Sequence, residues 1–326
     1  MNQFSYVRPA NLKAAIDAVA KDKSARFIAG GTNLLDLMKS GVVTSEKLVD
    51  INRLPLKDIQ LSEGALHIGA LVLNSDLAAH DLVKTQHPLL SQALLAGASQ
   101  QLRNMATVGG NMMQRTRCTY FYDTTMPCNK RAPNSGCGAI GGINRMHAIF
   151  GASDSCIAVH PSDMCVALAA LDAMVLVTGP KGSRRIPFTD FHRLPGNTPQ
   201  LDNNLGKGEL ITAVEIPSNH FTKNIYYLKV RDRASYAFAL VSVAVALDIR
   251  DGVIHEARLA MGGVAHKPWR LPEAEKALAG KAPTAENFRI AAGIATQSAK
   301  AYKHNMFKPA LALNSIQTAL QKAASV

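Results

Sequence analysis

The chain has 326 residues, 47% hydrophobic and 18% charged, enough to bury a substantial core in two or three domains and too apolar for a disordered chain. A formal net charge of +12 would suit an acidic partner, a membrane surface or nucleic acid, but the basic residues are scattered. The densest group, Arg115, Arg117, Lys130 and Arg131, is interleaved with cysteines and aromatics rather than forming the Lys/Arg run of a nucleic-acid binder, and no stretch reaches the roughly 20 apolar residues of a membrane span.

Met1-Asn2-Gln3-Phe4-Ser5 lacks a basic region followed by an apolar core, so no secretory signal of its own is expected. Residues 4–8 read as a strand, Asn11 as the cap of a helix through Ala20, and 25–29 as a second strand. Gly30-Gly31-Thr32-Asn33 turns the chain into a helix over 34–40, which Gly41 ends, before a strand at 47–51. An apolar strand at 66–73 leads to helices at 75–83, with Ser75 as cap, and at 89–97. A second glycine turn, Thr107-Val108-Gly109-Gly110-Asn111, opens a cysteine-bearing segment that runs to about His160, and helical spacing resumes at 162–173. Strands at 174–178 and 184–188 flank Gly179-Pro180-Lys181-Gly182 as a hairpin, and 209–216 adds another. The pattern then changes to strands at 225–231, 238–249 and 253–261, followed by helices at 272–278, 285–299 and 311–324. A domain boundary is expected near residue 220, dividing 1–220 from 221–326.

The two glycine turns share one chemistry. Each bares backbone N–H groups beside a helix start, glycine allows close approach of a ligand, and Thr32, Asn33 and Asn111 add side-chain hydrogen bonds. Alone, either turn reads equally well as a tight turn, and neither is a G-x-G-x-x-G or Walker sequence. Two such turns about eighty residues apart favour a ligand as long as a dinucleotide. Asp163, able to accept from ribose hydroxyls, and Lys229, able to stabilise charge on a reduced flavin, are further candidates, each also readable as a capping or surface residue.

Four of the five cysteines, Cys118, Cys128, Cys137 and Cys156, lie in one Gly/Pro/Asn-containing stretch with little core periodicity. Four thiolates are what an iron-sulfur cluster or a structural zinc requires. The spacing, C-x9-C-x8-C-x18-C, matches neither zinc-ribbon pairs nor the ferredoxin run, so it leaves both open. His147 and His160 would be alternative ligands, whereas Cys165 in Met164-Cys165-Val166-Ala167-Leu168 reads as core packing. The neighbouring basic residues would balance thiolate charge or form a solvated surface.

The paired motifs 28–33 and 107–111 resemble the FAD-binding medium subunit of the xanthine dehydrogenase family of molybdenum hydroxylases, over essentially the whole chain. Arg117-Cys118-Thr119-Tyr120-Phe121-Tyr122-Asp123, Pro127-Cys128-Asn129-Lys130-Arg131 and the run from Val230 to Phe238 resemble the aldehyde oxidoreductase subtype. The resemblance implies an α+β fold with a two-lobed FAD-binding domain, an iron-sulfur insert over about 112–161, and a C-terminal domain of antiparallel sheet and helices. It implies FAD held by Phe27, Ile28, Ala29, Gly30, Gly31, Thr32, Asn33, Leu34, Thr107, Val108, Gly109, Gly110, Asn111 and Asp163, with Ile211 and Lys229 nearer the ring. By analogy with the subtype's insert, Cys118, Cys128, Cys137 and Cys156 would ligate a [4Fe-4S] cluster. The implied partners are a large molybdenum-cofactor subunit and a small subunit with two [2Fe-2S] clusters. Electrons would reach this chain last and leave for an external acceptor, after cytoplasmic assembly and co-export to the periplasm on a partner's signal.

Two other readings compete on residues alone. One is a free-standing FAD oxidase with a zinc-bound structural insert, for which Tyr120, Tyr122 and His147 would line the substrate pocket. The other is a basic metal-binding adaptor without redox activity.

Overall fold

Three short parallel strands open the computed structural model, which describes residues 1–325: β1 (Ser5–Val7), β2 (Ala25–Ile28) and β3 (Lys47–Asp50), in the order β1-β3-β2. The crossover helix Leu12–Ala20 starts where Asn11 Oδ1 accepts the Ala14 N–H at 2.9 Å, satisfying one of the donors a helix start leaves free. It buries Ala15, Ile16 and Val19 against the sheet, at the spacing of one helix face.

A five-stranded antiparallel sheet follows, built from β4 (Ile59–Ser62), β5 (Ala65–Gly69), β6 (Met174–Gly179), β7 (Gly182–Pro187) and β8 (Leu210–Pro217) in the order β4-β5-β8-β6-β7. The β6–β7 hairpin turns at Gly182, whose φ of +107° lies where only glycine is relaxed. Everything between β5 and β6 leaves this sheet and returns: the helices Asn74–Ala79, Asp81–Gln86 and Pro88–Ala96, the cysteine segment, and the helix Asp163–Ala170.

The last sheet holds β9 (Ile225–Val230), β10 (Val241–Arg250), β11 (Val253–Gly262) and β12 (Trp269–Arg270), all antiparallel, in the order β12-β11-β10-β9. Its two faces enter different cores. Ala244, Ala246 and Ala260 join the core built around helices Pro88–Ala96 and Asp163–Ala170, while Val243, Val245 and Leu259 face helices Pro272–Leu278, Ala285–Thr296 and Lys308–Ala324. That double burial explains why residues 241–247 are buried without alternation.

Several expected elements shift. The strand read at 66–73 ends at Gly69, because residues beyond it turn to hydrogen-bond the second glycine turn. Ser75 does not cap its helix. The helix begins at Asn74 with Leu73 in the cap position, and the Ser75 hydroxyl instead meets Asp76 Oδ1. The single helix read over 75–83 is two, separated by extended backbone at His80. β10 begins at Val241 rather than at residue 238. β4, an exposed strand of four residues beside β5, is too short for a period to show.

Candidate functional site

The first glycine turn is set by space as much as by conformation. Gly31 has φ +72°, and a Cβ on Gly30 would lie 1.8 Å from the Met105 carbonyl oxygen, so this turn rests on the backbone just ahead of the second. The second is pinned from behind: Gly109 N–H donates to Ala70 O at 2.8 Å and Val108 N–H to Val72 O at 3.0 Å. Thr107 accepts the Gly110 N–H at 3.2 Å and so caps the short helix Val108–Met112. Asn33 Oδ1 accepts the Arg115 N–H at 2.9 Å, tying the first turn to the chain just past the second.

Both turns border one cavity of about 690 Å³, within the range of small-molecule and cofactor sites. Thr32, Asn33, Gly110, Asn111 and Asp163 stand in its wall. Phe27, Ile28, Ala29 and Leu34 instead pack in the cores beneath the first turn, and Val108 packs beneath the second. Five residues of the wall carry a buried polar atom that lacks a partner within the protein: Asn33 Nδ2, Asn74 Oδ1, Arg117 Nε, His147 Nδ1 and His160 Nε2. Orphaned donors and an orphaned acceptor in one wall fit a ligand bearing phosphate oxygens and hydroxyls, since each atom otherwise bears its desolvation cost. Asn74 is a wall residue that its sequence context, a helix start, did not announce.

Asp163 and Lys229 meet each other. Lys229 Nζ lies 2.8 Å from Asp163 Oδ2 and 3.0 Å from Ala96 O, and the Tyr227 hydroxyl donates to Asp163 Oδ1 at 2.8 Å. Burial, with Asp163 beside it, pushes the Tyr227 phenol well above its ordinary range, so it stays a donor. Ser162 caps the helix Asp163–Ala170 through the Cys165 N–H and donates to Asn111 Oδ1 at 2.5 Å, linking this helix to the second turn. Ile211 lies in β8 opposite Val177, buried in the core and outside the cavity wall.

The four cysteines come together although their segment has almost no regular structure. Cys118 and Cys137 occupy the N-cap positions of the one-turn helices Thr119–Tyr122 and Gly138–Gly141, which puts their sulfurs near the free amides of those turns. Cys128 pairs with Cys137 across a single antiparallel bridge, and Cys137 hydrogen-bonds Cys156. That bond and the amides of Ala139 and Ile140 bring Cys137 down to about 6, whereas burial pushes Cys118 up to about 11. Cys156 is pushed up by Cys137 and by burial. His147 Nε2 lies 3.1 Å from Cys118 Sγ, and His266 Nε2 lies 3.2 Å from Cys156 Sγ. Cys118 also stands in the wall of the large cavity, so the cysteine nest and the cavity are neighbours.

The basic residues of this segment brace it rather than forming a solvated surface. Lys130 Nζ is buried 2.5 Å from Asp202, which also takes Arg115 Nε at 2.6 Å, and Arg131 donates to the carbonyls of Tyr120 and Phe121. Burial alone would raise Asp202, but the charges of Lys130 and Arg115 outweigh it and hold the carboxyl below its ordinary value.

Among the described residues, the one trio of metal-ligating types with ligand atoms all within 4.8 Å is His160, Cys165 and His192; no three of the four clustered thiols are that close. The His160 and His192 rings lie 4.2 Å apart, tilted by 47°, and burial keeps His192 neutral with a pKa of about 4 and pushes the Cys165 thiol up to about 12. Cys165 lies in the largest core, as its apolar neighbours imply.

Residues 2–219 match the family model for the FAD binding domain in molybdopterin dehydrogenase, and residues 226–323 match that for the CO dehydrogenase flavoprotein C-terminal domain. The chain is 49% identical over 325 residues, 99% of each protein, to the aldehyde oxidoreductase FAD-binding subunit PaoB of Escherichia coli K12. It is 32% identical to the glyceraldehyde dehydrogenase medium chain of Sulfolobus acidocaldarius, over 86% of this chain and 82% of that one. In structure it is similar to a chain of carbon monoxide dehydrogenase from Hydrogenophaga pseudoflava, with TM-score 0.78 and 25% identity, covering 99% of this chain and 98% of that one. With matches along its whole length and two glycine turns converging on one cavity, the chain belongs to the FAD-binding medium-subunit family of the molybdenum hydroxylases, whose members are subunits of oxidoreductases.

Proposed function

We propose that this chain is the FAD-carrying, electron-transferring subunit of a heterotrimeric molybdenum-dependent aldehyde oxidoreductase, and that Cys118, Cys128, Cys137 and Cys156 hold a [4Fe-4S] cluster on it. The observation that carries the flavin part is the convergence of both glycine turns on one cavity whose wall holds the unpartnered Asn33 Nδ2 and Asn74 Oδ1. When bound, FAD would accept electrons from the complex and release them to an external acceptor. The chain's own residues hold and shape. Gly30 and Gly109 let the two turns lie against neighbouring backbone, the bared amides and Thr32, Asn33 and Asn111 would grip the dinucleotide's polar groups, and Asp163 braces the wall through Tyr227 and Lys229. Val108, Phe27, Ile28, Ala29 and Leu34 support the turns by packing. Ile211 packs in the core and lies outside the cavity wall.

Aldehyde oxidation is supported by the 49% identical FAD-binding subunit, and that chemistry would occur on the large molybdenum-cofactor subunit, with the small [2Fe-2S] subunit between it and this chain. For the cysteine nest, the cluster reading rests on the resemblance of this segment to the insert of the aldehyde oxidoreductase subtype and on four free thiols, one for each iron of a cubane. Cytoplasmic assembly followed by co-export on a partner's signal completes the proposal.

The test is metal, sulfide and flavin analysis of the anaerobically purified complex, beside a complex carrying Cys118→Ser and Cys156→Ser. One FAD and about eight iron per complex, falling to about four in the variant, is the expected result. Zinc in place of the lost iron would leave a flavoprotein with a structural metal, and folded complex without flavin would overturn the central claim.

A further inference from the structure

Two histidines sit on the thiols. His147 lies inside the cysteine segment, and its Nε2 is 3.1 Å from Cys118 Sγ. His266 comes from the loop after β11, more than a hundred residues later, and its Nε2 is 3.2 Å from Cys156 Sγ. Both residues are buried, at 4% and 8% exposure. Backbone anchors hold them in place: the His147 carbonyl accepts Lys308 Nζ at 2.8 Å and Asn305 Nδ2 at 3.2 Å, and the Ala265 carbonyl accepts the His160 N–H at 2.9 Å.

The other ring nitrogen decides the direction of these bonds. Nδ1 of His147 and Nδ1 of His266 are buried without a partner. If the sulfurs were thiols donating to Nε2, the ring proton would sit on Nδ1 and two buried N–H donors would be orphaned. If the sulfurs are thiolates, each Nε2 carries the proton and donates it, leaving only a bare lone pair on Nδ1, the less costly orphan. The arrangement is therefore built for sulfurs that bear negative charge, as cluster ligands do.

We propose that His147 and His266 are positioning residues that set the reduction potential of the cluster, each donating its Nε2 proton to one ligand thiolate; this rests on the cluster reading above. A donor to a ligand sulfur stabilises the more negative, reduced cluster over the oxidised one and so raises the potential. Removing either donor lowers it. His266 lies in the loop between β11 and β12 of the C-terminal sheet, so that region contributes to the tuning of a group whose ligands all lie in the cysteine segment.

The experiment is an EPR-monitored redox titration of the intact complex with His147→Phe, His266→Phe and the donor-retaining His147→Gln, with iron counted in every sample. At a fixed poise near the wild-type midpoint, the ratio of reduced to oxidised cluster is expected to fall by about tenfold in each Phe variant, the size of one hydrogen bond to a charged group. His147→Gln should recover part of that loss, which a purely steric role would not produce. Unchanged ratios in variants with full iron overturn the proposal, as does a Gln variant that behaves like Phe. Iron missing from the wild-type chain would instead sink the cluster reading itself, and the two failures are told apart by that count.

Discussion

At the scale of single residues, the glycine turns are constrained by close approach. Gly30 has an ordinary φ, so its requirement is purely steric: a methyl group there meets the Met105 carbonyl at 1.8 Å, which is backbone and does not rotate away. Gly30→Ala is expected to separate the two turns, cost about 1–3 kcal/mol of stability, and lower the FAD bound per chain. Flavin absorbance against protein and a thermal melt check this, and a fully flavinated variant with an unchanged melt would refute it. The turn was legible because Gly-Gly before a helix start has few local uses. Its neighbour across the fold was not, since nothing in residues 105–106 marks them as the surface on which Gly30 rests. Asp163 and Lys229 show the same limit. Each residue type suits a ligand contact, yet their charges are satisfied by each other, because two buried ions that meet are far less costly than two that do not.

At the scale of elements, the helix Lys308–Ala324 does more than cover a sheet. Its first residue is a fully buried lysine whose Nζ donates to Gly263 O at 2.7 Å and His147 O at 2.8 Å, and reaches Met146 O at 3.4 Å. One ammonium thus joins the end of β11 to the cysteine segment. Lys308→Met keeps the length of the side chain but strands those carbonyls, and about 2–3 kcal/mol of stability should be lost. Limited proteolysis should then cut first within residues 112–161, and a variant as resistant there as the wild type would show that the clamp is dispensable. The apolar spacing of this helix begins at Leu311, and the lysine at its start carries no local sign of burial, because lysines are almost never fully buried.

At the scale of the whole molecule, buried neutral histidines govern the response to acid. Burial pulls His87 and His192 down to about 4, below the ordinary 6.5 of an unfolded chain. The unfolded state therefore binds more protons between those values. The stability these sites contribute is fully present above about pH 6.5 and is lost as pH falls toward 4. A melting temperature that declines through this window, with a smaller decline in His192→Gln, is the expected outcome. A flat profile from pH 6.5 to 4 would mean that these rings are already charged in the fold. The architecture itself makes such burial possible, since the last sheet is covered on both faces and one core runs from helix Pro88–Ala96 through to β10.

Local chemistry determined much of this by itself: the Asn11 cap, the hairpin at Gly182, the helix Pro272–Leu278, the two glycine turns and the crowding of cysteines into one segment all follow from residues a few positions apart. Only the tertiary structure decided that the two turns face one cavity, that Ile211 lies in the core, that Asn74 stands in the wall, and that His147 and His266 reach different sulfurs. The physical reason is range. Turn and cap preferences act within one or two peptide units, whereas these contacts join residues brought together only when three sheets and their covering helices close over shared cores.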